Sequence, residues 1–322
     1  MKLTIPDDLK KDVPPNQWGK ILSSTPVVMT VVATLLAGLA SSEMTRAQYD
    51  RALAAQQQSK AGDQWSFFQA KRLRSALQQN TLELLQSTTE IRPLDAAKLR
   101  QAAKALPAAA SIRTNLLARL DLADGLPTLR ALAQGEMPAP PAEAGLNPVL
   151  TAALDAVADA RPESEITPLL APVSNPELDA ALRSARDRSQ AYDSAVKPFN
   201  AMLDLLEQLA GRLPLNAAAG DSLSRDITAV RLRCLSHRYE TEARLNQRIA
   251  NLLELQVRKS NLTAERHHRR SQRFFFGMLA AQAAVIVSTF ALATQRRSLL
   301  WSLAAAAGLL AIFFAIYVYL FV

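Results

Sequence analysis

The chain has one cysteine, Cys234, among its 322 residues. A single thiol excludes an internal disulfide, and no metal-site spacing surrounds it. Glycine occurs only 10 times, scarce for an α/β enzyme whose loops must turn tightly around ligands. Aromatic residues make up 6%. No Gly-rich phosphate loop, nucleophile elbow or metalloprotease pattern occurs. Of the three histidines, His267 and His268 are adjacent, about 100° apart on a helix, and do not share a face as i, i+4 ligands would. His237 lies one turn after Cys234 and far from the other two. The acidic pairs Glu240/Glu242 and Asp155/Asp159 have no recognisable catalytic partners and read as solvated helix surface. No catalytic, cofactor-binding or metal-binding residue is therefore expected, and the chain reads as a non-enzyme.

Ala, Leu, Gln, Arg and Glu are plentiful, and all are helix formers. The fold class expected is all-α, with three transmembrane helices, a long antiparallel helical stalk and a proline-broken helical extramembrane head. Residues 21–42 carry no charge over 22 positions, about 33 Å at helical rise. Pro26 lies within them. Either the helix begins there with Thr25 as cap, or it is continuous from about Gln17 and bent at Pro26. Residues 274–293 and 299–322 are also uncharged, and only TQRRS separates them. Neither has the polar face that a soluble hairpin needs. The polar residues 1–20 form an N-terminal tail and do not resemble a cleavable signal peptide.

Small residues recur at four-residue spacing in each span: Thr34, Gly38 and Ser42; Ala280, Ala284 and Ser288; Ala304 and Gly308. Such ridges let helices approach closely in lipid. No ionisable residue lies inside a span and Gln282 is the only amide, which argues against a transporter or pump.

Thirteen of the 17 prolines fall between Pro93 and Pro214, while residues 221–273 hold neither proline nor glycine. Residues 43–88 and 221–273 are thus expected as long outgoing and returning stalk helices, continuous with the first and second spans. Residues 89–220 are expected as a head of short helices. Asn147-Pro148 and Asn175-Pro176-Glu177 read as a cap followed by proline at the first helical position. Residues 137–145, MPAPPAEAG, read as an extended linker, and 160–165 as a second break.

On a 100° wheel Ala61, Trp65, Phe68, Leu73 and Ala76 share one side. That amphipathic stripe needs an apolar partner, which Leu245, Ile249 and Leu252 on the returning helix supply. A break at His237–Glu242 argues against a strict two-stranded coiled coil and for a looser bundle. Asp63 and Gln64 are placed to hydrogen-bond across to the returning helix.

Residues 258–273 carry six cations against one carboxylate, a net of +5. Because they abut an apolar run, the polyanion implied is anionic lipid and not nucleic acid. Arg266, Arg269, Arg270 and Arg273, with Arg296 and Arg297 of the turn, are the expected membrane-boundary residues. Within about twenty residues of the span ends, nine Lys/Arg lie on the stalk side and six on the other. The positive-inside tendency therefore places the stalk in the cytoplasm.

The string AGDQWSFFQAKRLR, with Asp63, Gln64, Trp65, Phe67, Phe68, Gln69, Ala70 and Lys71, resembles the hallmark of a bacterial membrane-protein family, domain of unknown function 4337. Arg296-Arg297 followed by Trp301 is similar to the family's basic turn between two C-terminal membrane helices. The resemblance covers roughly residues 17–85 and 235–320. It implies a bacterial inner-membrane, multi-pass protein and no particular activity. The function expected is a helical scaffold or assembly subunit that self-associates or joins another membrane protein, its membrane packing carried by Gly38, Ser42, Ala280, Ala284 and Gly308. The alternative is a receptor or signal-relaying subunit whose head binds a ligand or partner.

Overall fold

The computed structural model describes residues 17–143, 145–213, 218–293 and 297–321. Among them the chain forms helices and no strand: α1 (Gln17–Thr88), α2 (Ala96–Ala105), α3 (Ser111–Asp121), α4 (Gly125–Gln134), α5 (Pro148–Ala158), α6 (Glu163–Leu170), α7 (Asn175–Ala210), α8 (Ala218–Ala293) and α9 (Arg297–Phe321). Pro26 lies inside α1, so the continuous-helix alternative holds and a start capped by Thr25 does not. The chain divides into two compact units, Met1–Ala55 with Arg258–Val322, and Gln56–Val257.

In the second unit, prolines and caps set the short helices. The Asn147 side chain accepts from Val149 N–H at 3.0 Å, with Pro148 opening α5. The cap of α7 is Ser174 and not Asn175. Its hydroxyl and the Glu177 carboxylate form a reciprocal capping box, because an acid three residues beyond the cap can reach back to the cap's own N–H. Gly135 ends α4 at φ 77°, a left-handed conformation that favours glycine, and a Cβ there would also have to displace the Arg233 side chain, whose Cδ lies 2.3 Å away. Leu99, Leu116, Leu120, Leu129 and Leu132 from α2–α4 pack with Met202, Leu203, Leu206 and Leu209 of α7 and with Ile227, Val230 and Cys234 of α8. The segment between α4 and α5 is non-helical where described. It is tied down by Arg188, whose Nε donates to Pro141 O at 2.6 Å, and by Glu143, paired with Arg248 at 2.8 Å.

Within that unit α1 and α8 meet antiparallel along small residues seven apart. Ala61, Ser75 and Leu82 of α1 are buried, with half-buried Phe68 between them; on α8 the buried set is Ala229, Ser236, Ala243, Ala250 and Val257. A seven-residue repeat keeps one face on a partner, whereas a straight helix drifts about 20° per heptad. Short side chains bring the backbones close. Ser75 Oγ donates to Ser236 O at 3.0 Å, and Ser236 Oγ can donate to Ser75 O at 3.2 Å.

In the first unit the same four-three spacing recurs. Met29, Ala33 and Leu36 of α1 pack against Ala281 and Ala284 of α8 and Ala311 of α9. Ser271 Oγ donates to Ala40 O at 2.7 Å. Gly277 and Gly308 sit at close approaches: a Cβ on the first would meet Leu36 and Phe314 at 3.3 Å, on the second Met29 at 3.3 Å. The outward side chains are large and apolar, among them Val31, Leu35, Phe276, Ile286, Phe290 and Phe313. This small-inside, large-outside arrangement suits a lipid solvent. By length and composition α1 and α8 are long and apolar enough to cross a membrane; α9 offers a shorter apolar stretch, Ser302–Tyr317.

Candidate functional site

The aromatic motif lies on the part of α1 in the second unit. Trp65 and Phe68 are half-buried and meet edge to face, centroids 5.5 Å apart. Phe67 points outward. Leu73 is 73% exposed, and Ala76 is also exposed. The stripe expected from the 100° wheel is thus corrected: it turns aside after Phe68, and Ser75 takes the place given to Leu73. Leu73 lies about 140° around the helix from Phe68, too far to share the face that Ala61, Phe68, Ser75 and Leu82 hold at steps of seven. Leu245, Ile249 and Leu252 of α8 are buried; Leu245 packs with Tyr192 and Val196 of α7. Asp63 is exposed and the Gln64 carbonyl oxygen is buried without a hydrogen-bond partner; the expected cross-helix bond from this pair is not seen among the described residues.

Just beyond the rings a polar cluster forms. Lys71 pairs with Glu242, whose side chain is 7% exposed. Arg238 Nε donates to the same carboxylate at 2.6 Å and its NH1 to Asn200 at 3.1 Å. The Tyr239 ring lies under three cations, with Lys71 Nζ 5.2 Å from its centroid. Arg72 and Arg244 share Glu240 at 2.7 and 3.3 Å. Glu240 and Glu242 are therefore ion-pair acceptors and not free surface acids, and Asp159 pairs with Arg161 at 3.1 Å. Through Lys71–Glu242 and Arg72–Glu240 the cluster ties α1 to α8 within the second unit.

Burial pushes the Cys234 thiol up to about 12, far from thiolate reactivity at neutral pH. Burial likewise raises the Tyr192 phenol. Among the described residues no group of three His, Cys, Asp or Glu could hold a metal ion.

In the first unit His267 is mostly enclosed. Its side chain is 16% exposed, with Nδ1 2.6 Å from Glu43 and Nε2 4.0 Å from Asp50. Arg269 is exposed and pairs with Glu265 at 2.9 Å. Arg266 is exposed, Arg270 half-buried, and Arg273 lies 4.9 Å over the Tyr317 ring. Arg296, and the side chains of Arg297 and Trp301, lie outside the described residues.

The small residues divide. Ala284 and Gly308 are buried inside the first unit, Ala280 is half-buried, and Gly38 and Ser42 face outward. A Cβ on Gly38 would meet nothing within 4 Å, so its ridge is not an internal contact. The inner ridge of α1 is Ala33, Leu36 and Ala40. Ala304 of the expected ridge is buried as well, whereas Gly277, Ala281, Ala291 and Ala311 are buried positions that a four-residue search passes over, because the spacing alternates steps of four and three.

Residues 18–116 match the family model described as Domain of unknown function (DUF4337). The match takes in α1, the DQWSFFQAK string, α2 and the first turn of α3. Residues 235–320, where the sequence suggested the same resemblance, lie outside it. No curated protein and no solved structure matches the chain significantly.

Proposed function

We propose that this is a non-enzymatic, multi-pass membrane protein, with α9 as its third span, that acts as an oligomeric helical scaffold or assembly subunit. The observation that carries this reading is an apolar stripe on the outer face of α1 in the second unit. Leu73, Leu77 and Leu84 are 73%, 60% and 66% exposed. With exposed Ala70 they fall within an arc of about 60° on the helix. The inner face of the same helix is already filled by α8, so the stripe is surplus to the chain's own fold, and assembly covers such a face.

Detergent-solubilised protein should run as a discrete oligomer by light scattering. Leu77→Glu with Leu84→Glu should convert it to monomer while leaving the melting temperature within a few degrees, since exposed positions contribute little. A monomeric wild-type protein at every concentration would refute the reading.

A second reading, a ligand- or partner-binding receptor subunit, draws on a cleft of about 340 Å³ in the second unit, lined by Glu207, Ser224, Thr228 and Arg231 among others. A small molecule retained by the wild type and lost on Thr228→Trp would favour it.

A further inference from the structure

The basic run at the start of the apolar part of α8 contains cations in two different conditions. Arg269 is satisfied by Glu265 at 2.9 Å. Arg266, Arg270 and Arg273 make no ion pair with any carboxylate among the described residues. They stand at i, i+4 and i+7, within about 60° of helix face. Arg270 carries a specific mark: its Nε is buried and has no hydrogen-bond partner.

The first unit cannot supply the missing anion from its described side chains. These hold eight Lys and Arg but only three carboxylates, Glu43, Asp50 and Glu265. Each is engaged: Glu43 by Arg46 and His267, Asp50 by His267, Glu265 by Arg269. Water can solvate the exposed Arg266, but not the buried donor of Arg270. An acceptor is needed that reaches between guanidinium groups and offers several oxygens. A phosphate does this, and arginine matches it with paired N–H donors. Phe274, Phe275 and Phe276 follow at once, and the Arg273–Tyr317 stack puts a tyrosine at the same level, as at a headgroup boundary.

We propose that Arg266, Arg270 and Arg273 form a binding face for the phosphate of an anionic phospholipid headgroup, with Arg269 outside it. This narrows the sequence-based set of boundary arginines and rests on the membrane reading of the first unit, but not on oligomerisation.

The test titrates phosphatidylglycerol, phosphatidylcholine and inorganic phosphate separately into the detergent-solubilised full chain and follows bound ligand by native mass spectrometry. Phosphatidylglycerol should bind in preference to phosphatidylcholine, and R266Q and R270Q should each weaken it roughly tenfold. R269Q should leave the affinity unchanged. R266Q is at an exposed position, so its result stands even if R270Q fails to fold. Inorganic phosphate that binds as well, with the same losses, keeps the site and assigns it to a soluble phosphate compound. Equal losses for R266Q and R269Q, or no preference for either phosphate probe over phosphatidylcholine, would overturn the proposal.

Discussion

Individual side chains show how the register decides what a residue does. Phe68 and Leu73 are five positions apart, about 140° around a helix, the two ends of the arc read as one stripe, and one is half-buried while the other is 73% exposed. In the monomeric Leu77→Glu, Leu84→Glu background, Phe68→Ala should cost about half of the ~3–5 kcal/mol of a fully buried ring, and Leu73→Ala less than about 0.5 kcal/mol. Paired denaturation curves check the contrast, and equal costs would put the seam elsewhere. Cys234 gives a pH dependence. The unfolded chain releases the thiol proton near its ordinary 9.0, while the folded chain holds it to about 12. The folded state therefore loses stability as pH climbs between these values, and this contribution is complete below the lower one. The melting temperature of wild type should fall toward that of Cys234→Ala between about pH 9 and pH 12, and native Cys234 should resist maleimide until denaturant is added.

Helices were legible wherever their signals are chemical. Asn147-Pro148 announces α5, the proline-free stretches announce α1 and α8, and the proline-rich middle contains the short helices. Ser174 was passed over because Asn175-Pro176 offers an equally good cap by composition. Only the Glu177 carboxylate reaching back to the Ser174 N–H distinguishes them. Ser174→Ala should cost about 1 kcal/mol, read as a shift in the unfolding midpoint. The alanine seam was illegible for another reason. Alanine carries little hydrophobic signal, and its burial is decided by how near the partner backbone comes. Gly277, Gly308 and Gly38 show the same limit, since all three sit in apolar stretches and only the first two are at crossings. Gly277→Leu and Gly308→Leu should lower the melting temperature in detergent as overpacking forces neighbours apart. Gly38→Leu should not, and a comparable loss there would mean that the outward ridge is also an internal contact.

For the molecule as a whole, the proposed membrane reading assigns the second unit to one side of the bilayer. Charge is the available argument. Nine Lys/Arg flank the span ends on the side of residues 43–273, against six beside the N-terminal tail and the hairpin turn. The membrane potential and the insertion machinery favour keeping the richer side in the cytoplasm, although the bias acts mainly through short loops and weakens over an excursion of this length. Four of the nine are Arg266, Arg269, Arg270 and Arg273, immediately beside an apolar run, where the bias is strongest. On this charge argument we propose a cytoplasmic second unit. With Cys234 replaced by alanine, a cysteine at position 140 should react with a membrane-impermeant maleimide only after the cells are permeabilised. Labelling of intact cells would reverse the orientation. It would also hand the head to external partners and place the Arg266–Arg273 face against the outer leaflet. Neutralising Arg266, Arg270 and Arg273 together separates the two roles of that charge. If it sets orientation, the fraction of chains labelled in intact cells rises; if it only binds phosphate, the labelling pattern stays as in wild type while headgroup affinity is lost.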